Sequence, residues 1–522
     1  MFRIYSLALV LLLGLSACNT EPATVTPPEP EPPVDTPTVI QDLLDGELDV
    51  TLNPYGIAPL TAEAVFNTKV PVSVSLKVAG DEPVTQTFGA VTEHRIPILG
   101  LYPDTENEVT LRLESAEGAA ETTLSLQTEP LPDVLPTVKI VQADREAMEA
   151  GWNLNSLRLR VTPEKALPFM YDPRGAIRWY LDLPVSGRTS SPERFANGNI
   201  IYGFEDTLYE YTMLGQKVRE WDISGYEYHH EIVEKPDGNL IVAVDKAGLD
   251  TIEDFVIELE RESGEIVREW DFRKSLDIDR QTFDDDERDW LHMNAMFYDE
   301  RDDTLIISGR VQGLAKVTMD NELVWILAPH KGWGENGRGE STSEHLLTAV
   351  DANGEPYAEA VQQGEEDTEG FSWVWGQHAP LILPNGNLFV FDNGENRNFS
   401  GNGDFTQESP SFSRGVEYAI NEDEMTVEQV WQYGKERGEA FYSPIISDVD
   451  YLPQTGNRLV MPGIINTFGE PPPYALMSEV TYPDKEVVFE AKLEFKNLLE
   501  GESVFGDSVY RAERLPLYPA AK

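Results

Sequence analysis

The chain has 522 residues, with 40 Lys and Arg against 92 Asp and Glu, a formal net charge of −52 and a pI near 4.3. A polyanion of this kind repels phosphate backbones and anionic lipid surfaces, and its basic residues form no run longer than a pair such as Arg273-Lys274, so nucleic-acid binding is excluded. A hydrophobic content of 41% with 10% aromatics excludes a wholly disordered chain, and the length predicts two to four domains or one large repeat architecture.

The first elements are signals of export. Met1-Phe2-Arg3 is followed by an apolar run from Ile4 to Leu15 and then Ser16-Ala17-Cys18. The run is too short to span a hydrocarbon core and reads as a secretory signal. Its end, Leu15-Ser16-Ala17-Cys18, resembles the bacterial lipoprotein signal, so residues 1–18 are expected to be a signal ending at a lipidated Cys18. Cys18 is the only Cys, which leaves no thiol for a disulfide, a metal or nucleophilic catalysis. Asn19 after the Cys, by resemblance to Gram-negative sorting, favours an exported lipoprotein at the outer membrane facing the periplasm, touching the membrane only through its lipid. Residues 19–38 are rich in Pro, Glu and Thr and predict an extended tether.

Residues 39–132 carry seven short alternating stretches: Glu47 to Leu52, Ala62 to Phe66, Val72 to Val78, Val84 to Phe88, Arg95 to Leu99, Glu108 to Leu113 and Glu121 to Leu126. They predict a β-sandwich of immunoglobulin or fibronectin kind that serves as a spacer or in self-association, with a homodimer as the expected assembly. His94 reads as a surface residue. Glu129-Pro130-Leu131-Pro132 reads as a hinge.

Residues 133–522 repeat a strand that ends in an aromatic residue. It recurs at Trp179, Trp221, Trp270, Trp325 and Trp431, with Phe489 as a replacement. The spacing fits propeller blades of about 40–50 residues, with one large insertion before Trp431. Turn signals such as Asn197-Gly198-Asn199, Pro236-Asp237-Gly238-Asn239 and Pro384-Asn385-Gly386-Asn387 each precede an apolar run. The fold class is therefore all-β, a six-bladed β-propeller preceded by a β-sandwich. Ser508 to Leu515 is placed to close the ring on the first blade. The insertion after Trp325, rich in Gly and acids, fits a mobile loop over the channel mouth and holds His330 and His345, which receive no catalytic role.

Six residues before each blade's turn stand Ser190, His230, His292, His378 and Ser447. Three of the chain's 7 His thus share one repeat position, and equal offsets on the innermost strands put them at one height around the channel mouth. The serines read as small channel-lining residues, and His229 as structural. Three neutral imidazoles could hold Zn²⁺ or Cu²⁺ with an open position. Alternatively, one imidazole could act as a nucleophile while its neighbours bind a charged group in transfer. Arg310, on the strand after His292, favours the second chemistry, because a fixed cation repels a metal but grips sulfate or phosphate oxygens. A propeller that only binds an anionic aromatic ligand or partner also stays open.

The segments His229-His230-Glu231-Ile232, Asp289 to Asn294, Ser308 to Gln312 and Trp375 to Pro380, followed by Phe391-Asp392-Asn393-Gly394, resemble the bacterial aryl-sulfate sulfotransferases over roughly residues 40 to 517. The resemblance implies transfer of a sulfuryl group from a phenolic sulfate ester to a phenolic acceptor without a nucleotide sulfate donor, in ping-pong fashion. Carried over by motif, His378 is the transiently sulfurylated nucleophile. His230, His292 and Arg310 bind the sulfuryl oxygens and handle the phenolic proton, and Asn294 assists in substrate binding. The partners implied are aryl sulfates and phenols; no cofactor and no metal is called for. Some family members carry a disulfide near the active site, which this chain cannot form.

Overall fold

The computed structural model describes residues 40–116, 118–159, 165–184, 192–280, 286–395, 397, 412–467, 472–496 and 506–519. The signal, Cys18, the tether and Ser190 lie outside the described residues. Among the described helices, none is long and apolar enough to cross a membrane.

The N-terminal unit is built on one long hairpin, Ala62–Val78 against Val84–Ile98. The other edge of Ala62–Val78 pairs with Asp49–Leu52 at its start and with Glu106–Ser115 at its end, and the latter continues to Gly118–Gln127. Five strands therefore stand where seven were expected. Two expected pairs fuse, because register shifts between Asn67 and Val74 let the hairpin run through the polar Asn67-Thr68-Lys69. His94 corrects its surface assignment: it is 2% exposed, stacked on Phe66 at 4.5 Å, with Nε2 3.3 Å from Thr68 Oγ1.

Six further sheets follow, one per blade. In order from the channel outward, blade 1 is Glu193–Arg194, Ile200–Phe204, Thr207–Tyr211 and Lys217–Asp222. Blade 2 is Tyr226–Glu234, Leu240–Lys246, Phe255–Leu259 and Ile266–Asp271, and blade 3 is Met293–Asp299, Thr304–Gly309, Gly313–Thr318 and Leu323–Leu327. Blade 4 is His378–Ile382, Leu388–Asp392, Arg414–Asn421 and Thr426–Tyr433. Blade 5 is Asp448–Tyr451, Arg458–Met461, Tyr474–Val480 and Val487–Glu494, joined at its rim by Thr137–Ala143. Blade 6 is Ser508–Leu515, Trp152–Leu159, Lys165–Tyr171 and Ile177–Tyr180. The C-terminal strand thus closes the ring as expected, and Arg194 of blade 1 donates to the carbonyls of Pro516 and Leu517 just beyond it.

The repeated tryptophans are blade-to-blade clamps. Each sits on the outermost strand of its blade and donates its indole N–H to the turn between the last two strands of the next. Trp179 reaches Met213 O (2.8 Å), Trp221 reaches Arg261 O (2.9 Å) and Trp270 reaches Thr318 O (3.1 Å). Trp325 reaches Glu422 Oε1 (2.9 Å) and Trp431 reaches Pro483 O (3.2 Å). A net gain of about 1 kcal/mol per bond, added to burial of a large ring, explains why this residue marks every blade edge but one.

Two expectations are corrected. Glu129–Pro132 is not a free hinge, because one apolar cluster runs from the N-terminal unit into blades 5, 6 and 1, and Arg178 of blade 6 donates to Gly100 O under the Tyr102 ring. The insertion after Trp325 is not a loose loop over the mouth either. Thr348–Ala349 pairs with the outermost strand of blade 4, and Leu347, Val361, Phe371 and Trp373 are buried against that blade. Its acidic residues face outward over an apolar underside. His330 bonds Leu347 O and His345 bonds Val324 O, away from the histidines of the channel.

Candidate active site at the channel mouth

Four of the expected residues stand where the inner strands begin or bulge. His230 lies in a register shift of the blade 2 inner strand with φ of 54°, and His292 precedes the blade 3 inner strand with φ of 50°. His378 opens the blade 4 inner strand before Ala379, whose φ is 54°. Left-handed backbone at a non-glycine residue is strained, and bulged strands use it to turn a side chain out of the sheet pattern. Here it turns imidazoles toward the channel axis. Ser447, at the matching point of blade 5, has φ of 99° but is buried, with Oγ bonded to Ser443 and to Gly463 N, so it is structural.

The ring centroids of His230 and His292 are 5.6 Å apart. His378 joins them through two residues. Asn294 Nδ2 is 3.1 Å from His378 Nε2, and the Asn294 carbonyl accepts a 2.8 Å bond from Tyr510 O–H. That hydroxyl lies 3.0 Å from His230 Nδ1. The structure therefore brings His230, His292, His378 and Asn294 into one hydrogen-bonded cluster.

The tautomer of His378 follows from its surroundings. Asn393 Nδ2 donates to Ser443 O (2.8 Å) and Ile446 O (2.6 Å), which turns its Oδ1 to His378 Nδ1 at 2.8 Å. Nδ1 must then carry the hydrogen, and Nε2 presents a lone pair. Burial holds the imidazolium form well below its ordinary range; the bond to Asn393 opposes this, while Arg511, Arg310 and His230 reinforce it. His378 is a neutral base with its lone pair facing the Asn294 amide.

Opposite stands a charged wall. Glu253 Oε2 lies 3.1 Å from His230 Nε2 and 3.4 Å from His292 Nδ1, and Asp289 Oδ2 is 2.5 Å from the same His292 nitrogen. Burial alone would push Glu253 up, but His230, His292 and His229 hold its carboxyl well below the usual carboxylate range. Arg310 donates its backbone N–H to His292 O (3.0 Å), and its guanidinium pairs with Glu395. Arg511 pairs with Glu231 at 2.8 Å and lies over the Tyr510 ring at 5.1 Å. His229 is 7% exposed, and burial lowers its pKa to about 3.

Glu253, Asp289, Tyr510, Asn393 and Glu395 escape the repeat-offset reading. Tyr510 carries a usable signal, since it lies on the strand expected to close the ring. Glu253 comes from the turn between the second and third strands of blade 2, where no periodicity points inward. Two groups, His229 with His230 and Glu253, and Glu253 with Asp289 and His292, hold donor atoms within 4.8 Å of one another. In them His230 and His292 face the oxygens of Glu253 and Asp289, while neither ring nitrogen of His229 has a hydrogen-bond partner among the described residues. His378 belongs to neither group, so the described residues do not assemble the three-imidazole metal centre left open by the sequence.

A family model described as arylsulfotransferase matches residues 137–502, and one described as arylsulfotransferase Ig-like domain matches residues 49–129. The arylsulfate sulfotransferase AssT of Escherichia coli O6:H1 (strain CFT073) is 28% identical, over 92% of this chain and 93% of its own length. That of Lelliottia amnigena is 28% identical, over 84% of this chain and 89% of its own length.

Proposed function

We propose that the channel mouth passes a sulfuryl group between two phenolic oxygens by way of His378, starting from the fact that the chain belongs to the arylsulfotransferase family. It is accordingly a transferase, and the family's aryl sulfates and phenols fit it as substrates. The observation that carries the reading is the fixed lone pair of a neutral, buried His378, joined through Asn294 and Tyr510 to His230 and acted on by the charge of Arg310.

In the first half-reaction His378 Nε2 attacks sulfur, giving up its contact with the Asn294 amide. The N–S bond forms as the S–O bond to the aryl group breaks, and the electron pair stays on the phenolic oxygen. His292, whose Nδ1 faces carboxylates, donates a proton to that oxygen through its other nitrogen. Arg310 takes the sulfuryl oxygens in its planar fork once Glu395 yields it. In the second half-reaction an acceptor phenol returns its proton to His292, its oxygen attacks sulfur, and the N–S bond breaks to restore His378. No nucleotide sulfate donor enters either half. This is double displacement through a covalent imidazole intermediate.

Release of a chromogenic phenol from its sulfate in the presence of a second phenol tests the reading, with His378→Ala beside the wild type. Loss of release in the variant is expected; wild-type rates in the variant would remove His378 from the chemistry. We also infer an exported lipoprotein anchored at Cys18, on the strength of the N-terminal sequence alone. Labelling by a fatty acid that Cys18→Ser abolishes is the expected result, and labelling that survives the substitution would contradict it.

A further inference from the structure

Glu253 sits where no blade repeat requires a glutamate, and its backbone is held in an unfavourable state to keep it there. Its φ is 55°, its N–H donates to the Asp245 carboxylate, and its carbonyl accepts a 2.9 Å bond from Met293 N at the start of the blade 3 inner strand. A left-handed glutamate pinned from both sides is over-determined by its surroundings, as strained residues at functional sites are. The residue is 4% exposed, and a single oxygen, Oε2, reaches both His230 Nε2 and His292 Nδ1.

The rest of the network decides what this contact does. The Asn294 carbonyl can only accept, and the Tyr510 hydrogen that satisfies it leaves the hydroxyl as an acceptor for His230 Nδ1. His230 then faces an acceptor at each ring nitrogen, Tyr510 on one side and Glu253 on the other, and it satisfies both only with a hydrogen on each. His292 likewise turns Nδ1 to Asp289 and Glu253. Two protonated rings at 5.6 Å repel one another, and a buried anion between them offsets that repulsion.

We propose that Glu253 is a positioning residue, the shared counter-ion that keeps His230 and His292 together as a protonated pair opposite the neutral His378. The proposal rests on the sulfuryl-transfer reading. The division matters because one wall must offer a lone pair to sulfur while the other must offer positive hydrogens to its oxygens; a charge-free pair would bind the donor anion weakly. The other titratable or charged groups facing the pair are His229 and Asp245 from blade 2, Asp289 and Arg310 from blade 3, and Tyr510 and Arg511 from blade 6.

The test compares wild type, Glu253→Gln and Glu253→Asp in the donor half-reaction, read as aryl sulfate cleavage across pH. Gln keeps the size and removes the charge. It is expected to move the alkaline limb of kcat/KM down by about one pH unit or more and to raise the donor KM about 10-fold at neutral pH, with Asp restoring part of both. Superimposable pH profiles for wild type and Glu253→Gln would overturn the proposal. Should Glu253→Gln fail to fold, imidazole nitrogen shifts of the wild-type protein at pH 7 decide instead: imidazolium shifts at His230 and His292 support the proposal, and neutral shifts overturn it. Those shifts are read without turnover. An active His378→Ala would therefore sink the transfer reading alone, while neutral rings beside an inactive His378→Ala would sink only the counter-ion.

Discussion

His378 Nδ1 lies 2.8 Å from Asn393 Oδ1, and Asn393 cannot turn over because its amide already serves two backbone carbonyls. Replacing Asn393 by Ala leaves the imidazole held at Nδ1 only by the longer 3.1 Å contact to Gly376 O. A misplacement of about 1 Å in a reacting group can cost about 10²-fold in rate, and a loss of that order in kcat is expected with KM little changed. Asn393→Asp should behave differently. A carboxylate at this position favours the imidazolium, so the acid limb of the pH–rate profile should move to higher pH. An unchanged profile in Asn393→Asp would contradict the tautomer assigned to His378.

Arg310 of blade 3 pairs with Glu395 of the neighbouring blade 4, so a donor anion bound there competes with a carboxylate for the guanidinium. Arg310→Ala should cost roughly 10²–10³ in kcat/KM, and Arg310→Lys should recover only part because a point charge lacks the fork. Glu395→Gln should lower the donor KM. In the same steady-state assay, salt added from low levels should also lower the donor KM, because it screens the field of a chain with a net charge of −52.

The tryptophan clamps predict a stability pattern. Trp270→Phe keeps an aromatic ring but loses the pyrrole half of the indole and the bond to Thr318 O, so it should lower the unfolding free energy by at least about 1–2 kcal/mol in chemical denaturation, with activity per folded molecule unchanged. A similar loss is expected for the clamps at Trp179 and Trp431. No loss in any of the three would contradict the clamp.

Asp448, on the inner strand of blade 5, is raised to about 7 by burial, with Arg511 pulling in the opposite direction and Glu231 adding to the rise. A carboxyl that binds its proton more tightly folded than unfolded stabilises the fold at acid pH, and this contribution is lost as pH rises through about 7. Asp448→Asn removes the titration. The unfolding midpoint should therefore fall more steeply for wild type than for Asp448→Asn between pH 5 and pH 8. Parallel curves would contradict the shift.

Much of the architecture was legible because a propeller repeats its own grammar. An aromatic at each blade edge, an Asn-Gly or Asp-Gly turn after the inner strands of blades 1, 2 and 4, and a final strand without a partner were enough to number and close the blades. The site was legible to the same depth: equal offsets placed His230, His292 and His378 on inner strands at one height. What lay beyond reach came from other periodicities. Glu253 and Asp289 enter from turns, where spacing is not inherited from the repeat. Asn393 follows the second strand of blade 4 and meets His378 only after pairing. His94 was misplaced although its sequence held the signal, since it alternates with Ile96 and Ile98 on the inward face of its strand. The insertion misled by composition, because its exposed acidic residues outnumber the few apolar ones that dock it on blade 4.

The central claim is that His378 carries the sulfuryl group between donor and acceptor. Mass spectrometry of protein quenched after incubation with an aryl sulfate, without acceptor, tests it most directly. A single sulfuryl adduct on the peptide containing His378 is expected, lost on addition of a phenol and absent from His378→Ala. An adduct on another residue, or full turnover with no adduct on His378, would contradict the account.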